Sequence, residues 1–415
     1  MLSCTSWTRV LASVVLVLGV ASAVPDTALA QGPTPVPDPG HVTVASTATV
    51  KSGEVTIAAS PTYKASSVSA GWIHTCAVTT KHAAICWGYN AYGMLGDNTT
   101  TTSSTPVGVY GLNTGVKSVT SGLYHSCALT TKGKVWCWGF NAYGELGDGT
   151  TTNSNKPVAV TGIGKVKAVS GGYEFTCALS TKSKVWCWGF NAYGQLGDNT
   201  TTNSPVPVAV YGLGKVKSIT TGGLHACALT TKGKVVCWGY NGYGELGNNT
   251  TANSPKPVTV YGLTSKAKSV SAGYYTTCAV NKKGAAKCWG YNGNGQLGNN
   301  TTTSSSKPVT VSGLSKKVAS VKPSYVHTCA VTTKGKVKCW GYNGYGALGD
   351  NSTTNSLVPV AVYNLDKTTK VSLGEVHTCA LTAKKAVKCW GYNSTGQLGD
   401  GTTTTSLKPI KVAGF

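Results

Sequence analysis

Short segments in which apolar and polar residues alternate recur along this chain at a near-constant interval. In one stretch, Val116–Ser121 and His125–Thr130 show the period of two that sends successive side chains to opposite faces of a strand. Lys134–Gly139 and Pro157–Thr161 complete a set of four predicted strands. The whole set then returns, with Cys-Trp-Gly beginning at Cys86, Cys137, Cys187, Cys237, Cys288, Cys339 and Cys389, at spacings of 51, 50, 50, 51, 51 and 50 residues. A fixed period of that size predicts one repeat domain of seven units rather than several unrelated domains.

Between the second and third strands, Thr131-Lys132-Gly133 is a three-residue loop with glycine at the left-handed position. That loop pairs Thr130 with Lys134 and sets Cys127 opposite Cys137. Opposed Cα atoms on antiparallel strands lie about 4.5 to 5.5 Å apart, within reach of a disulfide. Every copy keeps the same spacing, which predicts seven bridges: Cys76 to Cys86, Cys127 to Cys137, Cys177 to Cys187, Cys227 to Cys237, Cys278 to Cys288, Cys329 to Cys339 and Cys379 to Cys389. Reduced core cysteines and zinc ligands are the alternatives, and nine residues between the two cysteines is too long for a zinc knuckle. Trp138 follows Cys137 and faces the other way, so both faces of each sheet need cover. An all-β, seven-bladed β-propeller of four-stranded antiparallel blades provides it, with one intra-blade disulfide per repeat. An open solenoid needs distinct capping repeats, and the first and last copies look like the middle ones.

The repeated phrase H-x-C-A-L-T-x-x-G-x-V-x-C-W-G-x-N-x-x-G-x-L-G-D, read at His125 to Asp148, resembles the repeat of the regulator of chromosome condensation (RCC1-like) family of seven-bladed propellers. His125, Ala128, Leu129, Trp138, Gly139, Asn141, Gly144, Leu146 and Gly147 match a framework that the resemblance implies is structural rather than catalytic. The eukaryotic founder exchanges guanine nucleotide on a nuclear GTPase and touches chromatin. Secreted bacterial members are similar to this chain as well, and one of them inhibits β-lactamases through aromatic loops on one propeller face.

Composition changes the picture in two ways. The 36 basic residues outnumber 13 acidic ones, for a formal net charge of +23, and Arg9 is the only arginine. Lysine lacks the planar fork that grips phosphate or guanine in two places, so the charge predicts general attraction to polyanions and argues against sequence-specific nucleic-acid reading. The first 23 residues read as a signal peptide, with Arg9 as sole charge, an apolar core at Val10–Ala21 and the small-residue cut Ala21-Ser22-Ala23; Ala28-Leu29-Ala30 is a second cut, ending at residue 30. The apolar run is shorter than the roughly 20 residues that span a bilayer. Residues 24–62 form a Pro-rich linker or an extra strand, and 63–415 hold the propeller. This organisation predicts a secreted or cell-envelope protein, where disulfides persist.

In an up-and-down blade the loops alternate between the two ends of the propeller. Hairpin turns and blade crossovers gather lysines such as Lys132, Lys134, Lys165, Lys232 and Lys334 at one end. At the other end, two positions after a framework glycine differ from copy to copy: Trp72-Ile73, Leu123-Tyr124, Tyr173-Glu174, Gly223-Leu224, Tyr274-Tyr275, Tyr325-Val326 and Glu375-Val376. The longer loop adds Tyr92, Tyr143, Tyr193, Tyr243 and Tyr345, with Asn294 and Thr395 in the remaining copies, and Glu145, Glu174, Glu245 and Glu375 supply scattered acid. Tyrosine and tryptophan offer rigid contact area, so these residues predict a partner-binding face; packing over the blade edges is the competing reading. His74, His125, His225, His327 and His377 share one position, with Phe175 and Thr276 in the other copies, which favours a structural role over a metal ring. Asp148–Thr152 and its equivalents read as polar turns rather than calcium loops.

No nucleophile, base and orienting acid converge outside the repeat. The expectation is a non-enzyme without cofactor or metal. Its partner is an extracellular protein held by the aromatic face. The alternative is a structural surface or matrix component, self-assembling or bound through lysines to an anionic wall polymer or glycan.

Overall fold

The computed structural model describes residues 62–263 and 266–415, so the expected leader and the linker up to residue 61 lie outside the described residues. Among the described residues, twenty-eight strands form seven antiparallel sheets of four, each drawn from one continuous stretch of chain. These sheets are the blades of a seven-bladed propeller. Blade one spans Ala65 to Gly108 and blade seven spans Thr368 to Lys411. First strands of neighbouring blades touch around the whole ring, including blade seven against blade one, so they surround the axis.

Among the described residues, no strand is exchanged between the first and last blades. The ring closes instead by packing and backbone bonds: Tyr63 N–H donates to the Gly414 carbonyl, Ala65 N–H to the Lys385 carbonyl at 2.8 Å, and the Tyr63 and Phe415 rings meet at 5.7 Å.

Within blade two, the first and second strands are Val116–Ser121 and His125–Thr130, as the alternation predicts. The third begins at Val135, one residue later than expected. The fourth is Ser154–Ala159, not Pro157–Thr161. A bulge lets Ser154 pair with Gly139, which starts the strand early, while Thr161 N–H turns to the Gly147 carbonyl at 3.1 Å in the crossover.

All seven expected disulfides are present, with Cα–Cα distances of 4.0 to 4.1 Å, somewhat closer than an ordinary opposed pair. Gly133 has the expected left-handed backbone at φ 80°, but three copies force a side chain into that position: His82 at 65°, Ser183 at 66° and Lys385 at 69°.

Between blades, the bridge Cys127–Cys137 packs with Leu129, Leu146 and Val166 against Trp188 of the next blade. Trp188 Nε1–H donates to the Glu145 carbonyl at 2.7 Å, and every blade repeats this tryptophan-to-carbonyl bond. The contact explains the glycine of Leu-Gly-Asp. A Cβ on Gly147 would stand 2.7 Å from Trp188 Nε1, and its φ is 68°.

Candidate functional site

Loop contacts confirm the two ends. Thr131 N–H of a hairpin donates to the Gly115 carbonyl of a crossover at 2.8 Å, and Val166 N–H of the next crossover exit donates to the Gly133 carbonyl at 2.9 Å. Lys132, Lys134, Lys165, Lys232 and Lys334 are exposed there. The crossovers also carry four exposed tyrosines that the sequence reading passed over: Tyr110, Tyr211, Tyr261 and Tyr363, 46 to 60% exposed.

At the opposite end the predicted aromatics come together in two groups. Trp72, Tyr173, Tyr274 and Tyr325, from blades one, three, five and six, meet one another at the axis. Trp72 lies 5.6 Å from Tyr173, 5.8 Å from Tyr274 and 5.6 Å from Tyr325, while Tyr274 lies 4.9 Å from Tyr173 and 4.8 Å from Tyr325. These rings are half-buried, and Gly223 makes room for them, since a Cβ there would fall 2.9 Å from the Tyr274 ring. A second group follows the longer loops. Tyr92 touches Tyr124 and Phe140; the run continues through Tyr143, Phe190, Tyr193, Tyr240 and Tyr243 to Tyr275, which meets Tyr274 at 4.3 Å. Tyr345 stands apart with Tyr342 and Tyr392.

Three of the nine rings in this run, Phe140, Phe190 and Tyr240, were missed in the sequence. Tyr89, Phe140, Phe190, Tyr240, Tyr291, Tyr342 and Tyr392 follow Cys-Trp-Gly in every copy, and each is half-exposed. The sequence reading assigned that position no role. The signal was available, because an aromatic ring in a loop directly beside the variable tyrosines has the same access to solvent.

The acids are corrected. Glu145 and Glu245 do not decorate the surface; both are buried between blades, each accepting one backbone N–H through Oε2, from Tyr143 at 3.0 Å and Tyr243 at 2.9 Å, with Oε1 left unpartnered. Burial, partly offset by those backbone bonds, pushes both carboxyls up to about 8. Gln195, Gln296 and Gln397 fill the same site with the same backbone bond. Glu174 and Glu375 stay near the aromatic face and are half-buried, and burial raises each to about 7.

The five histidines join neighbouring blades. His125 Nε2 lies 2.9 Å from Thr176 Oγ1, whose hydroxyl donates to the Glu145 carbonyl at 3.1 Å. The hydroxyl proton is thereby committed, so Nε2–H donates, and burial keeps the imidazole neutral. His74, His225, His327 and His377 repeat the contact with Ser126, Thr277, Thr378 and Thr75. Desolvation drops His125 to about 4 and the other four to about 3. Where Phe175 replaces histidine, Ala226 replaces the hydroxyl facing it. Asp148 is likewise committed, its Oδ1 accepting Thr150 N–H at 3.0 Å and Thr150 Oγ1–H at 2.9 Å in a local turn. Among the described residues no cluster of three or more His, Cys, Asp or Glu side chains is placed to hold a metal ion.

Beside the axial rings lies a cavity of about 200 Å³, walled by the ends of all seven first strands and the loops that follow them.

Comparison with known proteins follows the same lines. The RCC1-like domain model matches residues 164–415, and models of the regulator of chromosome condensation (RCC1) repeat match 83–129 and 132–179. The chain belongs to the RCC1-like family. Among curated relatives of this RCC1-like propeller, the ultraviolet-B receptor UVR8 of Arabidopsis thaliana is 33% identical over 96 residues, 23% of this chain and 22% of that protein. The human E3 ubiquitin-protein ligase HERC2 is 31% identical over 343 residues, 82% of this chain but 6% of its own length. The matched segments thus span about a fifth or less of these relatives. Among solved structures, Prp20p from Saccharomyces cerevisiae superposes with a TM-score of 0.70 at 19% identity, covering 85% of this chain and 87% of that one. Human WBSCR16 gives 0.70 at 22% identity over 77% and 86%. At those identities the likeness is one of fold.

Proposed function

We propose that this RCC1-like propeller is a secreted or cell-envelope binding protein that engages another protein through its aromatic face. One observation carries the reading: the rings from Tyr92 through Tyr275 to Trp72 contact one another in an unbroken run. Side chains already held by their neighbours lose little freedom when a partner arrives, which is how a preorganised surface gains affinity. The run also answers the packing alternative in part, because the rings pack on each other while Tyr92, Tyr243 and Tyr345 remain 36 to 39% exposed. Seven buried disulfides suit an oxidising compartment, which supports the leader reading at residues 1–23 with a cut after Ala23 or Ala30. Prp20p, whose binding properties to Gsp1p and histones have been studied, is a related propeller that works by binding protein.

The test is capture from the producing cell's secreted and envelope proteins at low and high salt, beside the triple variant Tyr92→Ala, Tyr243→Ala, Tyr345→Ala. Salt-resistant capture of one protein that the variant loses supports the reading. The alternative, a matrix role on anionic wall polymer or glycan, draws on the exposed lysines together with Tyr110, Tyr211, Tyr261 and Tyr363. It expects capture that spreads over anionic fractions, vanishes at high salt and ignores the triple variant.

A further inference from the structure

Around the axis the fifth residue of each first strand performs one repeated task. Ser69, Thr120, Ser170, Thr220 and Ser372 each accept the backbone N–H of the next blade, from Ser121 at 3.0 Å, Gly171 at 2.9 Å, Thr221 at 3.1 Å, Ala272 at 3.1 Å and Ala70 at 2.9 Å. This collar of hydroxyls is broken twice in succession. Opposite Ser271 the next blade offers Pro323, which has no N–H to give. Ser271 Oγ is consequently buried without a partner, the residue being 4% exposed. In blade six the hydroxyl itself is replaced, by Lys322.

Both residues line the axial cavity of about 200 Å³, as do Trp72, Tyr274, Tyr325 and Glu375. Lys322 is exposed to the water of the channel, and among the described residues no carboxylate lies within ion-pair distance of it; the ion pair among those residues is Lys388 to Asp366. The protein around the channel, with Lys370 nearby, lowers the affinity of Lys322 for its proton. The Ser271 hydroxyl is orphaned, and the Lys322 ammonium stands in the same small cavity, hydrated and with no acid beside it. A ligand with acceptors for both answers the two together.

We infer that the axial cavity beside blades five and six is a binding site for a small carboxylate with a flat apolar body. The carboxylate accepts from Lys322 Nζ and Ser271 Oγ, and the body lies against Trp72, Tyr274 and Tyr325. One cation and one hydroxyl match a single negative charge; a dianion such as phosphate would bring a second charge toward Glu375. Size agrees as well, since a cavity of roughly 150 Å³ admits benzene. The site shares Trp72 and Tyr274 with the aromatic face but none of Tyr92, Tyr243 and Tyr345, so its test separates it from the protein-partner reading.

Benzoate is the probe, titrated calorimetrically into the purified full chain, with inorganic phosphate and neutral benzyl alcohol alongside. The expected result is benzoate binding in the millimolar range or tighter, with both comparison compounds weaker by about tenfold or more. Lys322→Ser installs the hydroxyl carried by other blades, so the propeller keeps its melting temperature or gains, while benzoate affinity falls by about tenfold or more. Ser271→Ala lowers it by about threefold. The Tyr92, Tyr243 and Tyr345 variant leaves benzoate binding unchanged. Benzoate that fails to bind by about 20 mM overturns the site. So does binding that survives Lys322→Ser, and phosphate or benzyl alcohol binding as tightly as benzoate overturns the carboxylate assignment.

Discussion

Replacing Glu145 or Glu245 by glutamine stabilises the propeller, and the gain grows with pH in a way the structure fixes. Each carboxyl is buried between blades with one oxygen bonded to backbone N–H and the other unpartnered. Burial raises both from 4.5 to about 8. A folded-state value above the unfolded one means that the folded protein holds the proton more tightly. The contribution is complete below about pH 4.5 and is lost as pH rises through 8. At about 1.4 kcal/mol per unit, the loss is about 3 kcal/mol by pH 7 and about 5 kcal/mol above pH 8 for each residue. Glutamine never ionises, and Gln195 already occupies an equivalent site with its Oε1 accepting Tyr193 N–H at 3.0 Å. Glu145→Gln should therefore match the parent near pH 4.5, exceed it by about 3 kcal/mol at pH 7 and by about 5 kcal/mol at pH 9. Glu245→Gln should add independently, because the two sites lie at different blade interfaces. Denaturant unfolding of the oxidised chain at pH 5, 7 and 9 measures this. A difference between variant and parent that stays constant across that range refutes the burial argument, as does a glutamine variant less stable at pH 9.

The histidine contact predicts a coupled pair. Thr176→Ala leaves the His125 Nε2–H buried without an acceptor and costs about 1 to 3 kcal/mol, whereas His125→Phe with Thr176→Ala reproduces the natural Phe175 and Ala226 pair and recovers at least about 1 kcal/mol in a double-mutant cycle. The five histidines, held neutral at about 3 to 4 against 6.5 unfolded, lose stability as pH falls from 6.5 toward their folded values. Glu145, Glu174, Glu245 and Glu375 act in the opposite direction from 4.5 up to about 7 to 8, so thermal midpoints should be nearly flat between pH 4.5 and 6.5 and fall on both sides. In the hairpins, Ser183→Gly and Lys385→Gly relieve left-handed side chains and should each raise stability by about 0.5 to 1 kcal/mol in the same denaturant assay.

The parts of this fold legible in the sequence were those that every copy repeats. The interval of Cys-Trp-Gly, the glycine of the hairpin loop and the alternation of the strands are local, so a single copy read by itself already sets the blade and its disulfide. The sequence also sorted the loops by end. Features that depend on two blades at once were not legible from one copy. The partner of His125 lies 51 residues away at Thr176, and the role of that pair shows only when Phe175 is set beside Ala226. Glu145 looked like surface acid because its loop is polar, yet the loop turns inward there to place Leu146 under Trp188. Trp72, Tyr173, Tyr274 and Tyr325 differ from the equivalent residues of other copies because they fill one space from four different blades.

That last point changes where function is to be sought in a pseudo-symmetric ring. Seven equal residues at the mouth of the axis would either meet at a point or leave a symmetric hole. Here three tyrosines and one tryptophan fit together because Gly223 yields its volume and Leu123 and Glu375 bring no ring. The departures are unevenly distributed, since Pro323 and Lys322 break the hydroxyl collar on the side where Tyr274 and Tyr325 stand. A ring kept only for its frame would gain from restoring the serine at 322, since a hydroxyl there bonds the next blade as it does five times elsewhere. Lysine at that position forgoes the bond and sets an exposed ammonium in the axial channel. A hydroxyl would serve the frame, whereas the ammonium would serve the carboxylate proposed for the cavity.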